Sequence, residues 1–185
     1  MKENKADITS TQLVLIQLIF LLVGLILSVS FVEDKNYTPI IDFPSLISGI
    51  QWSLPLIIFA FFFNSTIGQR IAPFKSIMDH LLKGPLRQFF AFSSIGLLFV
   101  WAVLAGIGEE LLFRAFLQTK IGIVAASVIF GALHFITPTL FIITTTIGFY
   151  LGWIYQLTGN IFVPIFIHFF YDFIFLLLLF KKNNN

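Results

Sequence analysis

The sequence predicts an all-α integral membrane protein, a bundle of about six transmembrane helices with one amphipathic interfacial helix, and three observations carry that prediction. Hydrophobic residues fill 58% of the 185 positions and charged residues only 11%, where soluble domains hold roughly 45–50% and about 25%. The mean hydropathy is +0.96. The apolar residues fall in successive runs long enough to cross a hydrocarbon core about 30 Å thick, which takes roughly 20 residues per helix. Six such runs with short connections use the whole chain and leave no room for a second folded domain.

The first run, Thr11 to Val32, follows the polar start MKENKADITS. It is too long for a signal-peptide core and has only the weak site Ser28-Val29-Ser30 near its end, so it reads as a retained first span. Pro39 and Asp42 punctuate the acidic loop EDKNYTPIID. Phe43 to Ile67 forms the second span, and its Pro55 is tolerated in lipid because neighbouring helices can satisfy the freed carbonyl.

From Gly68 to Gln88 the pattern changes, with Arg70, Lys75, Lys83 and Arg87 interleaved among apolar residues. Phe74, Ile77, Met78, Leu81 and Leu82 follow helical spacing, which predicts a helix along the membrane surface that ends at Gly84-Pro85. A third span runs from Phe89 to about Leu117, a short fourth from Ile121 to Phe135, a fifth from Pro138 to Leu157 and a sixth from Ile161 to Phe180. The fourth requires thin cover or helices that shield its ends. Gly148-x-x-x-Gly152 and Ala102-x-x-x-Gly106 offer small faces for close packing.

Zero cysteines exclude disulfides, thiolate metal sites and cysteine nucleophiles. The net charge of +2 is scattered between apolar runs, so it orients the chain in a bilayer and implies no nucleic-acid partner. With a cytoplasmic N-terminus the inner segments hold Lys2, Lys5, Arg70, Lys75, Lys83, Arg87, Lys181 and Lys182. Six spans then leave both termini cytoplasmic.

Ionisable side chains in apolar segments cost about 2.5–3.5 kcal/mol each on insertion scales, face the bundle interior and mark function. Six stand out: Glu109, Glu110, Arg114, His134, His168 and Asp172. Glu110 and Arg114 are four apart and predict an ion pair on one helical face. Glu109 is rotated about 100° from Glu110 and is left as the free carboxylate. His134, beside Gly131 and Ala132, suits either a helix–helix hydrogen bond or a site residue. His168 and Asp172, again four apart, form either a packing pair or a carboxylate-supported imidazole, and Pro164 one turn earlier leaves the carbonyl of Asn160 free. Together these groups supply a general base and, in His134, His168 and Asp172, three donors of the kind that bind catalytic zinc. The metal-free alternative is a buried Glu109 that takes a proton from a water held by His134.

The motifs Glu109-Glu110-x-x-x-Arg114, Phe130-x-x-x-His134 and His168-x-x-x-Asp172, in this order on successive segments, resemble the CPBP family. This is the CAAX prenyl protease and bacteriocin-processing group, also called Abi. The resemblance covers about Phe89 to Phe180 and implies a helical bundle enclosing a water-filled cavity where a peptide bond is hydrolysed. It implies a core of four membrane helices over 89–180, to which residues 1–88 add two transmembrane helices and the basic interfacial segment within one structural domain. Under it Glu109 is the general base, Glu110 and Arg114 its supporting pair, and His134 the residue that positions water or binds metal. His168 with Asp172 completes the site or stabilises the oxyanion. The family is described both as metalloproteases and as glutamate-dependent proteases, so zinc and no cofactor both stand as expectations. Asp172 occupies a position where eukaryotic prenyl-protein proteases usually carry Asn. An ionised carboxylate only accepts hydrogen bonds, which suits a metal ligand or a partner for His168. The implied substrate is a peptide or membrane protein other than a prenylated one, in a bacterial plasma membrane. A scaffold or bacteriocin-immunity protein on the same fold is the non-catalytic alternative, and a proton-coupled transporter using the same residues is a third.

Overall fold

The computed structural model describes residues 10–31, 39–87, 89 and 93–184. Lys2, Lys5 and Lys35 lie outside these residues, as does most of the acidic loop. The described residues are helical, with no strand among them, as the composition predicts.

Helix α1 (Ser10–Phe31) and α2 (Phe43–Asn64) have 22 residues each, about 33 Å at 1.5 Å per residue and enough to span a bilayer. Helix α1 exposes Leu15, Ile19, Leu22, Ile26 and Val29 and buries a stripe of small or polar residues, Gln17, Gly24 and Ser28. Helix α2 starts where the Asp42 carboxylate accepts from the Ser45 amide at 2.8 Å, with Pro44 in its first turn. Near Pro55, the Tyr150 hydroxyl donates to the Trp52 carbonyl at 2.6 Å.

A 3₁₀ turn (Gly68–Arg70) leads into α3 (Ala72–Lys83), shorter than the stretch of alternating basic and apolar residues. Its buried residues Ile77, Met78 and Leu81 pack on Phe63, Leu98, Leu176 and Leu179, so one face closes an end of the bundle. Lys75 and Lys83 stay exposed.

The third and fourth expected spans need a correction of boundary. Helix α4 (Ile95–Glu110), capped by Ser94, runs into a π-helical turn (Leu111–Leu117) and then α5 (Gln118–Leu133). Thirty-nine helical residues are thus continuous, about 58 Å and twice the bilayer. The rod is broken at Gly122, whose φ of 81° and ψ of 164° are not helical; glycine reaches this region without a Cβ penalty. After the break α5 turns back to pack on the π turn and on α6 (Pro138–Thr158). Its remaining stretch, 123–133, is about 16 Å long, half a bilayer. The short fourth span therefore ends at His134 well inside the length of its neighbours.

Helix α6 begins at a Thr137 cap and ends at Gly159 with φ 62°. Helix α7 (Phe162–Asn184) packs against α2, α4 and α6. Pro164 lies in its first turn, and the Asn160 carbonyl is not free as expected but accepts from the Val163 amide at 3.2 Å. Buried Asn160 ties the start of α7 to the start of α2. Its Nδ2 donates to the Ile40 carbonyl at 2.8 Å, and its Oδ1 accepts from the Ile40 amide at 3.0 Å.

The small faces pack as expected. A Cβ on Gly106 would meet the Phe169 amide nitrogen at 2.9 Å, and one on Gly148 would meet the Phe130 ring at 3.2 Å. A third close crossing joins Gly24 of α1 to Gly108 of α4, where a Cβ on either would lie within 2.8 Å of the other helix's backbone.

Candidate active site

The six ionisable residues converge from four elements. Glu109 and Glu110 end α4, where the helix passes into the π turn; such turns recur at functional sites because they re-aim side chains. Arg114 sits within the turn, His134 caps α5, and His168 and Asp172 lie one turn apart on α7.

Glu110 and Arg114 are the innermost pair, 0% and 1% exposed, with Oε2 3.0 Å from Nε. The contact is an ion pair without hydrogen-bond alignment. Arg114 Nη2 donates to the Gly148 carbonyl at 3.1 Å, and its guanidinium lies 5.0 Å from the Phe130 ring centroid. One turn on, Gln118 donates to the Gly152 carbonyl at 3.0 Å. The Gly-x-x-x-Gly face of α6 thus serves a polar purpose as well as a packing one, since the missing side chains open these carbonyls to the π turn and α5. Glu110 also reaches across the bundle, its Oε1 2.7 Å from His168 Nδ1. His168 Nε2 faces Asp172 Oδ2 at 3.5 Å. Two carboxylate acceptors facing both ring nitrogens are both served only by the doubly protonated imidazole, so Glu110, Arg114, His168 and Asp172 form a charge-balanced row.

Glu109 is not the free carboxylate that the sequence suggests. Its Oε1 accepts from Gln17 Nε2 of α1 at 3.1 Å. Its Oε2 is buried without a hydrogen-bond partner and lies 3.7 Å from His134 Nε2. His134 Nδ1 is 2.8 Å from the Phe130 carbonyl. A carbonyl can only accept, so Nδ1 carries a proton and Nε2 is the ring nitrogen turned toward Glu109.

Glu109, His134, His168 and Asp172 line one cavity of about 380 Å³, together with Gln17 and Tyr171, while Glu110 and Arg114 lie behind its wall. The volume falls within the roughly 300–1,000 Å³ of ligand sites. The rest of the wall is largely apolar. His134 has 38% of its side chain exposed, whereas His168 has 2%. Among the described residues no three His, Asp or Glu side chains are grouped as a metal ion requires, and this includes His134, His168 and Asp172.

Residues 91–174 match the family described as type II CAAX prenyl endopeptidase, Rce1-like. That segment is thus similar to the CAAX protease family. All six ionisable residues fall inside the match, and the membrane-spanning helices around them make the chain a multi-pass membrane protein. A curated relative, the uncharacterized protein YpbD of Bacillus subtilis (strain 168), is 45% identical over 110 residues. That alignment covers 57% of this chain and 58% of the relative's length. No solved structure matches the chain significantly.

Two neighbours of the six ionisable residues escape a reading of charges alone. Gln17 lies outside the matched segment, and its only signal is an amide in an otherwise leucine-rich span. Tyr171 stacks on His168 with ring centroids 5.6 Å apart and an interplanar angle of 15°; nothing in the spacing of the charged residues marks it.

Proposed function

We propose that the protein is an intramembrane endopeptidase that hydrolyses a peptide bond with a water activated by Glu109 and His134. The observation that carries this reading is the pair of unoccupied acceptors, Glu109 Oε2 and His134 Nε2, 3.7 Å apart at the cavity wall. One water can bridge such a separation. Each of its protons then points at a base and an oxygen lone pair is free to attack the scissile carbonyl. As the C–O bond forms, Glu109 takes a proton. The carbonyl oxygen becomes an oxyanion, for which His168 Nε2–H, 3.5 Å from Asp172 and lining the cavity, is the donor. Collapse breaks the C–N bond, the amine leaves with the proton from Glu109, and a carboxyl group remains on the other product.

Glu110 and Arg114 support this chemistry from behind the wall by fixing His168. The substrate class we propose is a peptide or membrane-protein segment with apolar side chains, which suits the rest of the cavity. Lys182 lies 3.5 Å from the Asn64 carbonyl, which brings the basic C-terminus beside the end of α2 that leads to the basic helix α3. We read that end as cytoplasmic.

The test uses wild type, Glu109→Gln and His134→Ala in proteoliposomes, with a pooled library of quenched-fluorescent peptides bearing apolar halves. Each variant is expected to lose about 10²-fold or more in cleavage rate while keeping its thermal unfolding midpoint. Full cleavage by Glu109→Gln rules the mechanism out. Equal rescue of a deletion phenotype by that variant favours the scaffold or immunity role instead. Stoichiometric zinc in the active wild type, lost from a His134→Ala, His168→Ala double variant, replaces the metal-free route with a metalloprotease.

A further inference from the structure

We infer that Gln17 is a positioning residue of the active site: its amide holds Glu109 Oε1 so that Oε2 alone faces His134 and the cavity. The inference rests on the reading of Glu109 as the base.

Gln17 is 5% exposed in a helix whose other faces are largely open to lipid. A buried amide in such a helix is costly unless it is paired. Its partner is Glu109 on α4, 92 residues away in sequence, at 3.1 Å. A carboxylate can only accept, so the NH₂ end of the amide must face it. That fixes one oxygen of Glu109 and leaves the other to the site.

Adhesion of α1 to α4 does not require this bond. Gly24 and Gly108 bring the two backbones together, and the Ser28 hydroxyl donates to the Leu111 carbonyl at 3.0 Å. Gln17 instead lies at the far end of the buried stripe, beside the one carboxylate of α4 that lines the cavity. An unbraced Glu109 could rotate about its side-chain bonds and offer either oxygen, or neither, to the water. A fixed geometry is worth rate rather than substrate affinity. The matched family segment, 91–174, is thereby completed by a residue supplied from outside it.

Three variants test this beside wild type and Glu109→Gln, using the peptide pool that wild type cleaves fastest. Gln17→Leu removes the donor, Gln17→Met does so with an unbranched chain of similar length, and Ser28→Ala removes a second hydrogen bond made by α1. Both Gln17 variants are expected to lower kcat about tenfold or more, the worth of a hydrogen bond to a charged group, with KM unchanged and the unfolding midpoint kept. Ser28→Ala is expected to lower the midpoint and leave kcat alone. Wild-type kcat in Gln17→Leu and Gln17→Met overturns the inference while an inactive Glu109→Gln still supports the base. A raised KM at constant kcat overturns it in favour of substrate binding, and loss of fold in both Gln17 variants overturns it in favour of adhesion. Full activity in Glu109→Gln removes the base and this inference together.

Discussion

Replacing Arg114 by Met keeps much of the length of the side chain and removes its charge from the best-buried ion pair among the described residues. Glu110 is 0% exposed and Arg114 is 1% exposed, so neither charge is screened by solvent. At an effective dielectric near 20, attraction between unit charges at such range is about 4 kcal/mol. Removing one partner of a buried pair costs about 3–5 kcal/mol, because the other charge is stranded. Arg114→Met also leaves the Gly148 carbonyl without its donor and the Phe130 face without its cation. His168, 2.7 Å from Glu110, compensates in part, so we expect about 3–5 kcal/mol in total. For a chain of this size that lowers the unfolding midpoint by about 10 °C. The assay is thermal unfolding in a mild detergent, run beside the double variant Arg114→Met, Glu110→Gln. The double variant removes both charges, while the amide oxygen that replaces the carboxylate can still accept from His168, so it is expected to recover much of the loss. A single variant within about 1 kcal/mol of wild type, or a double variant no better than the single, refutes the account of this pair as desolvated and mutually dependent.

Two further outcomes follow from local geometry. Gly108→Val places a Cβ 2.7 Å from the Leu21 amide nitrogen and 2.9 Å from its Cα, so backbone must yield. The expected cost is about 1–3 kcal/mol, with loss of cleavage as Gln17 is drawn from Glu109, read by thermal unfolding and by kcat. At the start of α2, hydrogen bonds from Ser45 hold the Asp42 carboxyl below its ordinary range near 3.8. A lowered carboxyl stabilises the fold above its ordinary pKa and ceases to do so as the pH falls through the folded value. The difference in midpoint between wild type and Asp42→Ala is therefore expected to be constant near neutrality and to close below about pH 4.

The spans were legible because lipid forces each backbone group to be satisfied within its own helix, so hydropathy alone marks the runs. Contacts four residues apart were equally legible: Glu110 with Arg114 and His168 with Asp172 follow from helical geometry. The contacts that make a site of these pairs did not follow. Glu110 to His168 spans 58 residues and Gln17 to Glu109 spans 92, and such pairings depend on which helix faces which. The π turn and the break at Gly122 were also invisible, since an apolar helix and an apolar kink share one composition. Gln17 carried a readable sign, because an amide in a lipid-facing run needs a partner as a charge does.

The placement of Glu110 and Arg114 one turn apart has a consequence for biosynthesis. On insertion scales each central charge costs about 2.5–3.5 kcal/mol, and α4 with its π turn must enter the bilayer before the later helices exist. By carrying acid and base on the same segment, it brings its own counter-ion and does not have to wait for one. His168 arrives 58 residues after Glu110, on α7. Asn160, which fastens the start of that span to Ile40, is translated just ahead of it. The polar wall of the cavity therefore closes only once α7 has been made, and a nascent copy that stops short of it does not yet carry all of these groups.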